Sequence, residues 1–276
     1  MQIKLAFSPC PNDTFIFYAM LHGRVDTEGL TFLPYLSDVE DLNNLALQEK
    51  AEITKISFHA YCHAAAGYVL LQSGAALGRG CGPLLISLRD PASLDLSVAR
   101  VAIPGPYTTA AFLLKTFYPQ AVHLQSMVFS GIEPALLSGT VDAGVIIHEN
   151  RFTYRQKGLQ KISDLGERWE QETGKPIPLG GIAIRRDFPA PVQEAAGRVM
   201  RRSVEYAFAH REEVMPYVRK YAQEMEEAVM LQHIELYVNE YTVSLGADGE
   251  AAVRFMMEQA LSQGLFHNIR EPLFVS

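Results

Sequence analysis

Ile3-Lys4-Leu5-Ala6-Phe7-Ser8-Pro9-Cys10-Pro11-Asn12-Asp13-Thr14-Phe15-Ile16-Phe17-Tyr18-Ala19-Met20-Leu21-His22-Gly23 contains one complete strand-to-helix unit. Ile3 to Phe7 is a short, mostly apolar run of the kind a buried strand carries. Pro11 suits the first position of a helix, Phe15, Tyr18 and Leu21 recur at helical spacing, and Gly23 marks the stop. The junction between them is rich in small polar groups, from Ser8 to Thr14. Working outward, residues 30–36 read as a second strand, 39–48 as an amphipathic helix and 53–58 as a third strand entering a helix near His59. Strands that alternate with helices over short connections predict a parallel sheet covered by helices.

Residues 68–72 and 84–88 read as further strands, separated by a glycine-rich stretch from Gly74 to Gly82. Its glycines match neither the P-loop nor the GxGxxG spacing, which favours a hairpin or crossover loop over a phosphate cradle. After the polar turn around Asp90-Pro91 the alternation restarts: strands at 101–103, 122–129 and 143–147, helices at 109–117 and 133–137. Gly180-Gly181-Ile182-Ala183-Ile184 reads as a strand leading out of this second block, followed by helical periodicity over 192–210, 212–222 and 250–263. The stripe Tyr217, Tyr221, Met225 reads as core. The fold class is therefore α/β and two-lobed, with residues 1–90 plus 186–276 forming one lobe and 91–185 inserted as the other. Two chain crossings make a hinge, and hinged lobes close around a ligand in the cleft between them.

Composition narrows the partner. The chain has 276 residues, 48% of them hydrophobic and 20% charged, with a formal net charge of −7. That balance suits a globular protein and, with no basic block, argues against nucleic acid or an anionic membrane. A small ligand is the expected partner, and the oligomeric state is left open. Met1 to Phe7 lacks the long apolar stretch of an export signal. Three widely spaced cysteines, Cys10, Cys62 and Cys81, with no CxxC pair suit a reducing compartment, so the expected location is the cytoplasm. His59, Cys62 and His63 share a helical face, but no carboxylate completes a ligand set, and no metal is expected. The GxSxG, HExxH and kinase signatures are absent from the sequence.

In open α/β sheets ligands sit beyond the carboxyl ends of strands, where helix N-termini present backbone N–H groups. Small hydroxyl residues fall at these points in both lobes: Ser8 to Thr14, Ser57, Thr108-Thr109 and Ser130. Each alone is explained as a helix cap, and their recurrence is what points to a site. Strand alternation puts Lys55 and Ser57 on one face, where Lys55 either meets a ligand carboxylate or is a solvated lysine at a strand edge. His148 follows the apolar run Ala143-Gly144-Val145-Ile146-Ile147 and so stands at a strand's carboxyl end. It is either a general base or a histidine bonded to backbone. Glu149, Asn150 and Arg151 are charge partners or polar exit residues.

Two runs carry a resemblance: Ser8-Pro9-Cys10-Pro11-Asn12-Asp13-Thr14-Phe15-Ile16-Phe17 and Ile147-His148-Glu149-Asn150-Arg151-Phe152-Thr153-Tyr154. Supporting stretches are Thr54-Lys55-Ile56-Ser57, Gly78-Arg79-Gly80, Gly82-Pro83-Leu84, Thr108-Thr109-Ala110 and Phe112-Leu113-Leu114. In this order they resemble the 1,4-dihydroxy-6-naphthoate synthase family of the futalosine route to menaquinone. The resemblance implies a type II periplasmic-binding-protein-like fold working in the cytoplasm. It also implies cofactor-independent carbon–carbon lyase chemistry that converts cyclic dehypoxanthinyl futalosine to 1,4-dihydroxy-6-naphthoate. His148 would be the proton acceptor, and Lys55, Ile56, Ser57, Thr108 and Thr109 substrate contacts, joined by Asn12, Asp13 and Thr14 at the first junction. Asp13 would orient the histidine or the sugar-derived part of the substrate, or else simply favour its helix dipole. The alternatives are the route's sibling chorismate dehydratase and a non-catalytic cytoplasmic protein that binds a small carboxylate.

Overall fold

The computed structural model describes residues 1–222 and 226–276, so Met225 of the tyrosine stripe lies outside the described residues. The chain begins β1 (Gln2–Phe7), α1 (Pro11–Leu21), β2 (Thr31–Leu36), α2 (Val39–Leu47), β3 (Ile53–Ser57), α3 (Phe58–Ala64), β4 (Tyr68–Leu70) and β5 (Ala76–Gly78). It continues β6 (Leu84–Ser87), β7 (Arg100–Ile103), α4 (Thr109–Phe117), β8 (His123–Ser126), α5 (Ile132–Leu137), β9 (Ala143–Ile146), α6 (Asn150–Thr153), β10 (Gln160–Asp164) and α7 (Leu165–Thr173). Last come β11 (Ile177–Arg185), α8 (Ala190–Ala209), α9 (Arg211–Tyr221), α10 (Glu227–Tyr237), α11 (Glu240–Val243) and α12 (Gly246–Ser262).

Two compact units result, Met1–Gly78 with Pro178–Ser276, and Arg79–Ile177. The crossings expected near residues 90 and 186 thus fall at 78/79 and 177/178. The reason is long-range pairing: β6 lies between β9 and β10 in the second unit's sheet, while β11 lies between β3 and β4 in the first. The parallel sheets expected from the alternation are also mixed. In the first, ordered β2-β1-β3-β11-β4 with β5 on β11, β1 pairs in parallel with β2 and β3, while β11 runs antiparallel to its neighbours β3 and β4. In the second, ordered β10-β6-β9-β7-β8, β7 pairs in parallel with β8 and β9, while β6 runs antiparallel to its neighbours β9 and β10.

Local chemistry explains the elements that carry the site. Ten of the eleven residues of α1 are buried, because its far side is covered by α8, α9 and α10. Phe17 packs on Phe7 at 4.6 Å between ring centroids, and the buried Ser203 hydroxyl ties α8 to α1 by donating to the Ile16 carbonyl at 2.6 Å. β2 is an edge strand, which is why Pro34 is tolerated within it. In β3 all five residues are buried, as befits a central strand.

The glycine-rich stretch is a crossover with one short strand, and one of its glycines is a matter of space. A Cβ at Gly82 would lie 2.2 Å from the Gly166 Cα, where the loop before β6 crosses the first turn of α7. We expect Gly82→Ala to destabilise the second unit by about 1–3 kcal/mol through backbone displacement. Denaturant unfolding followed by tryptophan fluorescence checks this at Trp169, the chain's single tryptophan, which is buried in that unit. An unchanged midpoint would contradict it.

Candidate functional site

In the first unit the polar groups gather at the carboxyl ends of β1 and β3. Asp13 lies in the first turn of α1 and is 1% exposed. It accepts from the Ser8 N–H (3.2 Å) and Ser8 hydroxyl (2.8 Å) on Oδ2, and from Asn12 Nδ2 (2.8 Å) on Oδ1. Lys55 Nζ stands 3.0 Å from the same Oδ1, with the lysine side chain 9% exposed. The edge-lysine alternative is thereby excluded, since β3 is internal and Lys55 is buried against a carboxylate. An ammonium has three N–H groups, and among the described residues its ion-pair partner is Asp13 alone. Gly180 on β11 leaves room for the lysine stem: a Cβ there would lie 3.5 Å from Lys55 Cε and 2.8 Å from the Ile56 carbonyl oxygen.

Ser57 is held at two points by Asn43 of α2, whose Oδ1 accepts from the Ser57 N–H (2.9 Å) and whose Nδ2 donates to the Ser57 hydroxyl (3.1 Å). Asn43 is fully buried, and the sequence reading passed over it. Ile56 is wholly buried and turned by the pleat to the face opposite Lys55 and Ser57. The Thr14 hydroxyl is engaged locally, donating to the Cys10 carbonyl at 3.0 Å. Asn12 reaches His233 of α10, with His233 Nε2 2.9 Å from Asn12 Oδ1.

In the second unit the corresponding ends belong to β7, β8 and β9. Thr108 caps α4, its hydroxyl accepting from the Ala111 N–H (3.2 Å) and donating to the Gly105 carbonyl (2.8 Å). Thr109 is buried in the following turn, and the first turn of α4 holds no acidic residue, so its dipole favours an anion there. His148 comes two residues after β9, and its backbone takes a φ of +58°, a left-handed conformation uncommon outside glycine. Its ring lies against Phe129 with centroids 4.9 Å apart. Phe129 was expected to close a strand over 122–129. β8 instead ends at Ser126, and Phe129 opens a short 3-10 turn that delivers its ring to the histidine. Arg151 donates to the Gly82 carbonyl and pairs with Asp164 at 2.6 Å, which gives it a structural task. Asp164 also caps α7.

The group His59, Cys62, His63 is a packed cluster on α3. The two imidazoles meet edge to face at 5.4 Å, and the Cys62 thiol donates to the Phe58 carbonyl at 3.4 Å. Burial pushes the Cys62 and Cys81 thiols up to about 12. Both should therefore stay protonated at pH 8 and resist iodoacetamide in the native protein, reacting only after denaturation. Mass spectrometry of the alkylated peptides reads this, and rapid native labelling of either thiol would contradict it.

Comparison with known proteins gives a consistent picture. A family model described as menaquinone biosynthesis matches residues 3–261. A 1,4-dihydroxy-6-naphthoate synthase of Thermus thermophilus is 46% identical over 273 residues, covering 99% of both chains. One of Streptomyces coelicolor is 42% identical over 268 residues, covering 95% of this chain and 94% of the relative. Among solved structures, a protein of Archaeoglobus fulgidus superposes with a TM-score of 0.90 at 37% identity, covering 96% of this chain and 98% of its own. The alkanesulfonate-binding protein SsuA of Xanthomonas axonopodis superposes at 0.73 with 12% identity over 99% and 97%, which shows the periplasmic-binding-protein-like fold. Among the described residues no helix is long and apolar enough to cross a membrane.

Proposed function

The chain belongs to the menaquinone-biosynthesis family, and on that footing we propose that it forms 1,4-dihydroxy-6-naphthoate from cyclic dehypoxanthinyl futalosine as a carbon–carbon lyase. Its near-full-length relatives are named as synthases, so the chain is an enzyme. The observation that carries the proposal is the 46% identity to the Thermus synthase, which spans 99% of both chains.

The two clusters divide the work. His148 takes a proton from the substrate, the electron pair left behind forms a new double bond as a carbon–carbon bond breaks, and the part that keeps that bond's pair takes up a proton, with aromatisation of the new ring supplying much of the driving force. Strain at the His148 backbone and the Phe129 face fix the imidazole before substrate arrives. Lys55 meets the substrate carboxylate with the N–H groups that Asp13 leaves over, and the N-terminus of α4 favours negative charge. Ser57, Thr108 and Thr109 offer further polar contacts. The partner is thus a small carboxylate, the proposal assigns no step to a metal or cofactor, and the relatives' biosynthetic role supports a cytoplasmic setting.

Complementation tests the reading. The gene should restore menaquinone to a bacterium lacking its 1,4-dihydroxy-6-naphthoate synthase. Rescue of a strain lacking chorismate dehydratase in its place would assign the chain to the sibling step, and rescue of neither would favour a binding protein.

A further inference from the structure

We propose that His233 is a positioning residue of the Asp13–Lys55 pair, acting through Asn12 with a hydrogen held on Nε2. The inference rests on the proposed reading of Lys55 as the carboxylate-binding group. His233 is fully buried on α10, the helix that packs against α1. From it runs a chain of four buried polar groups: His233 Nε2 to Asn12 Oδ1 at 2.9 Å, Asn12 Nδ2 to Asp13 Oδ1 at 2.8 Å, and Asp13 Oδ1 to Lys55 Nζ at 3.0 Å.

The direction of this chain is fixed from its far end. The Lys55 ammonium is donor only, and the Ser8 N–H and hydroxyl both point at the other oxygen, so Asp13 meets the chain as an acceptor. Asn12 must then offer its NH2 to Asp13, because a flipped amide would set oxygen against oxygen at 2.8 Å. The Asn12 oxygen therefore faces His233, and His233 Nε2 must bear hydrogen. A leucine at 233 would fill similar space on the apolar face of α10 formed with Met230 and Ile234, but would leave the Asn12 oxygen buried without that donor. Asn12 would then be free to turn, and the carboxylate that holds Lys55 would lose a fixed neighbour.

Long-range proton–nitrogen NMR on protein labelled at its eight histidines, with His233 assigned by its absence from the His233→Gln spectrum, reads the tautomer directly and needs no substrate. A ring bearing hydrogen on Nε2 is expected, and a neutral ring protonated at Nδ1 alone overturns the proposal. Kinetics reads the consequence. His233→Leu should raise KM about ten- to hundredfold with kcat little changed, as loss of a carboxylate contact made equally in ground and transition states requires. His233→Gln, which returns an N–H donor at similar reach, should recover most of that loss. A fall in kcat alone, or equal effects of both variants, overturns the positioning role. Wild-type protein inactive on cyclic dehypoxanthinyl futalosine would instead overturn the reaction assigned above, while the tautomer still judges the chain of hydrogen bonds.

Discussion

His148→Ala is expected to lower kcat by about 10²–10⁴, the usual contribution of a positioned general base, while the protein keeps its fold. The fold survives because the residue is only partly buried and sits beyond the end of β9, outside the packed core of the second unit. A φ of +58° suits histidine somewhat better than alanine, a cost that falls on stability, so kcat of the folded variant still reports on the imidazole. His148→Gln tests the same point from another side, since an amide preserves polarity and approximate size yet cannot accept the proton. Phe129→Ala should give a smaller loss, because the base remains and only the surface that fixes its ring is gone. Steady-state assay by product absorbance measures all three, and an alanine variant that turns over at the wild-type rate would remove His148 from the chemistry.

Lys55→Met carries the largest expected cost in stability, about 3–5 kcal/mol, because it strands a buried carboxylate. Asp13 is 1% exposed and would keep the Ser8 and Asn12 donors but lose its counter-charge. At this chain length the unfolding midpoint should drop by roughly 6–20 °C. The double replacement Lys55→Met with Asp13→Leu should recover part of the loss, since a buried pair exchanged for apolar groups is often neutral. Differential scanning calorimetry of the two variants and the wild type decides the matter. A single Lys55→Met that melts with the wild type would show that the pair contributes nothing to the first unit, and the double variant should in either case bind substrate poorly.

Much of this site could be read in the sequence because its residues lie next to short, unmistakable elements. Ser8 to Thr14 fall between an apolar run and a proline-led helix, and Lys55 and Ser57 share a parity on a five-residue strand, so local periodicity alone put them at strand ends. What periodicity could not show was pairing. β6 is an apolar run that fits either sheet, and only its contacts with β9 and β10 assign it to the second unit, which moves the boundary from the expected residue 90 to 78/79. α10 escaped because it has apolar residues on more than one side and lacks the amphipathic stripe that reveals a surface helix, and His233 went with it. Asn43 and Phe129 were missed for a related reason. Each looks like an ordinary member of its own segment, and its part becomes visible only where the chain brings it beside Ser57 or His148.

The most direct measurement is incubation of the purified protein with cyclic dehypoxanthinyl futalosine, without added nucleotide or metal, followed by mass spectrometry of the products. The proposal requires 1,4-dihydroxy-6-naphthoate from the wild type and its near disappearance in His148→Ala. Folded wild-type protein that binds the substrate and returns it unchanged would contradict it.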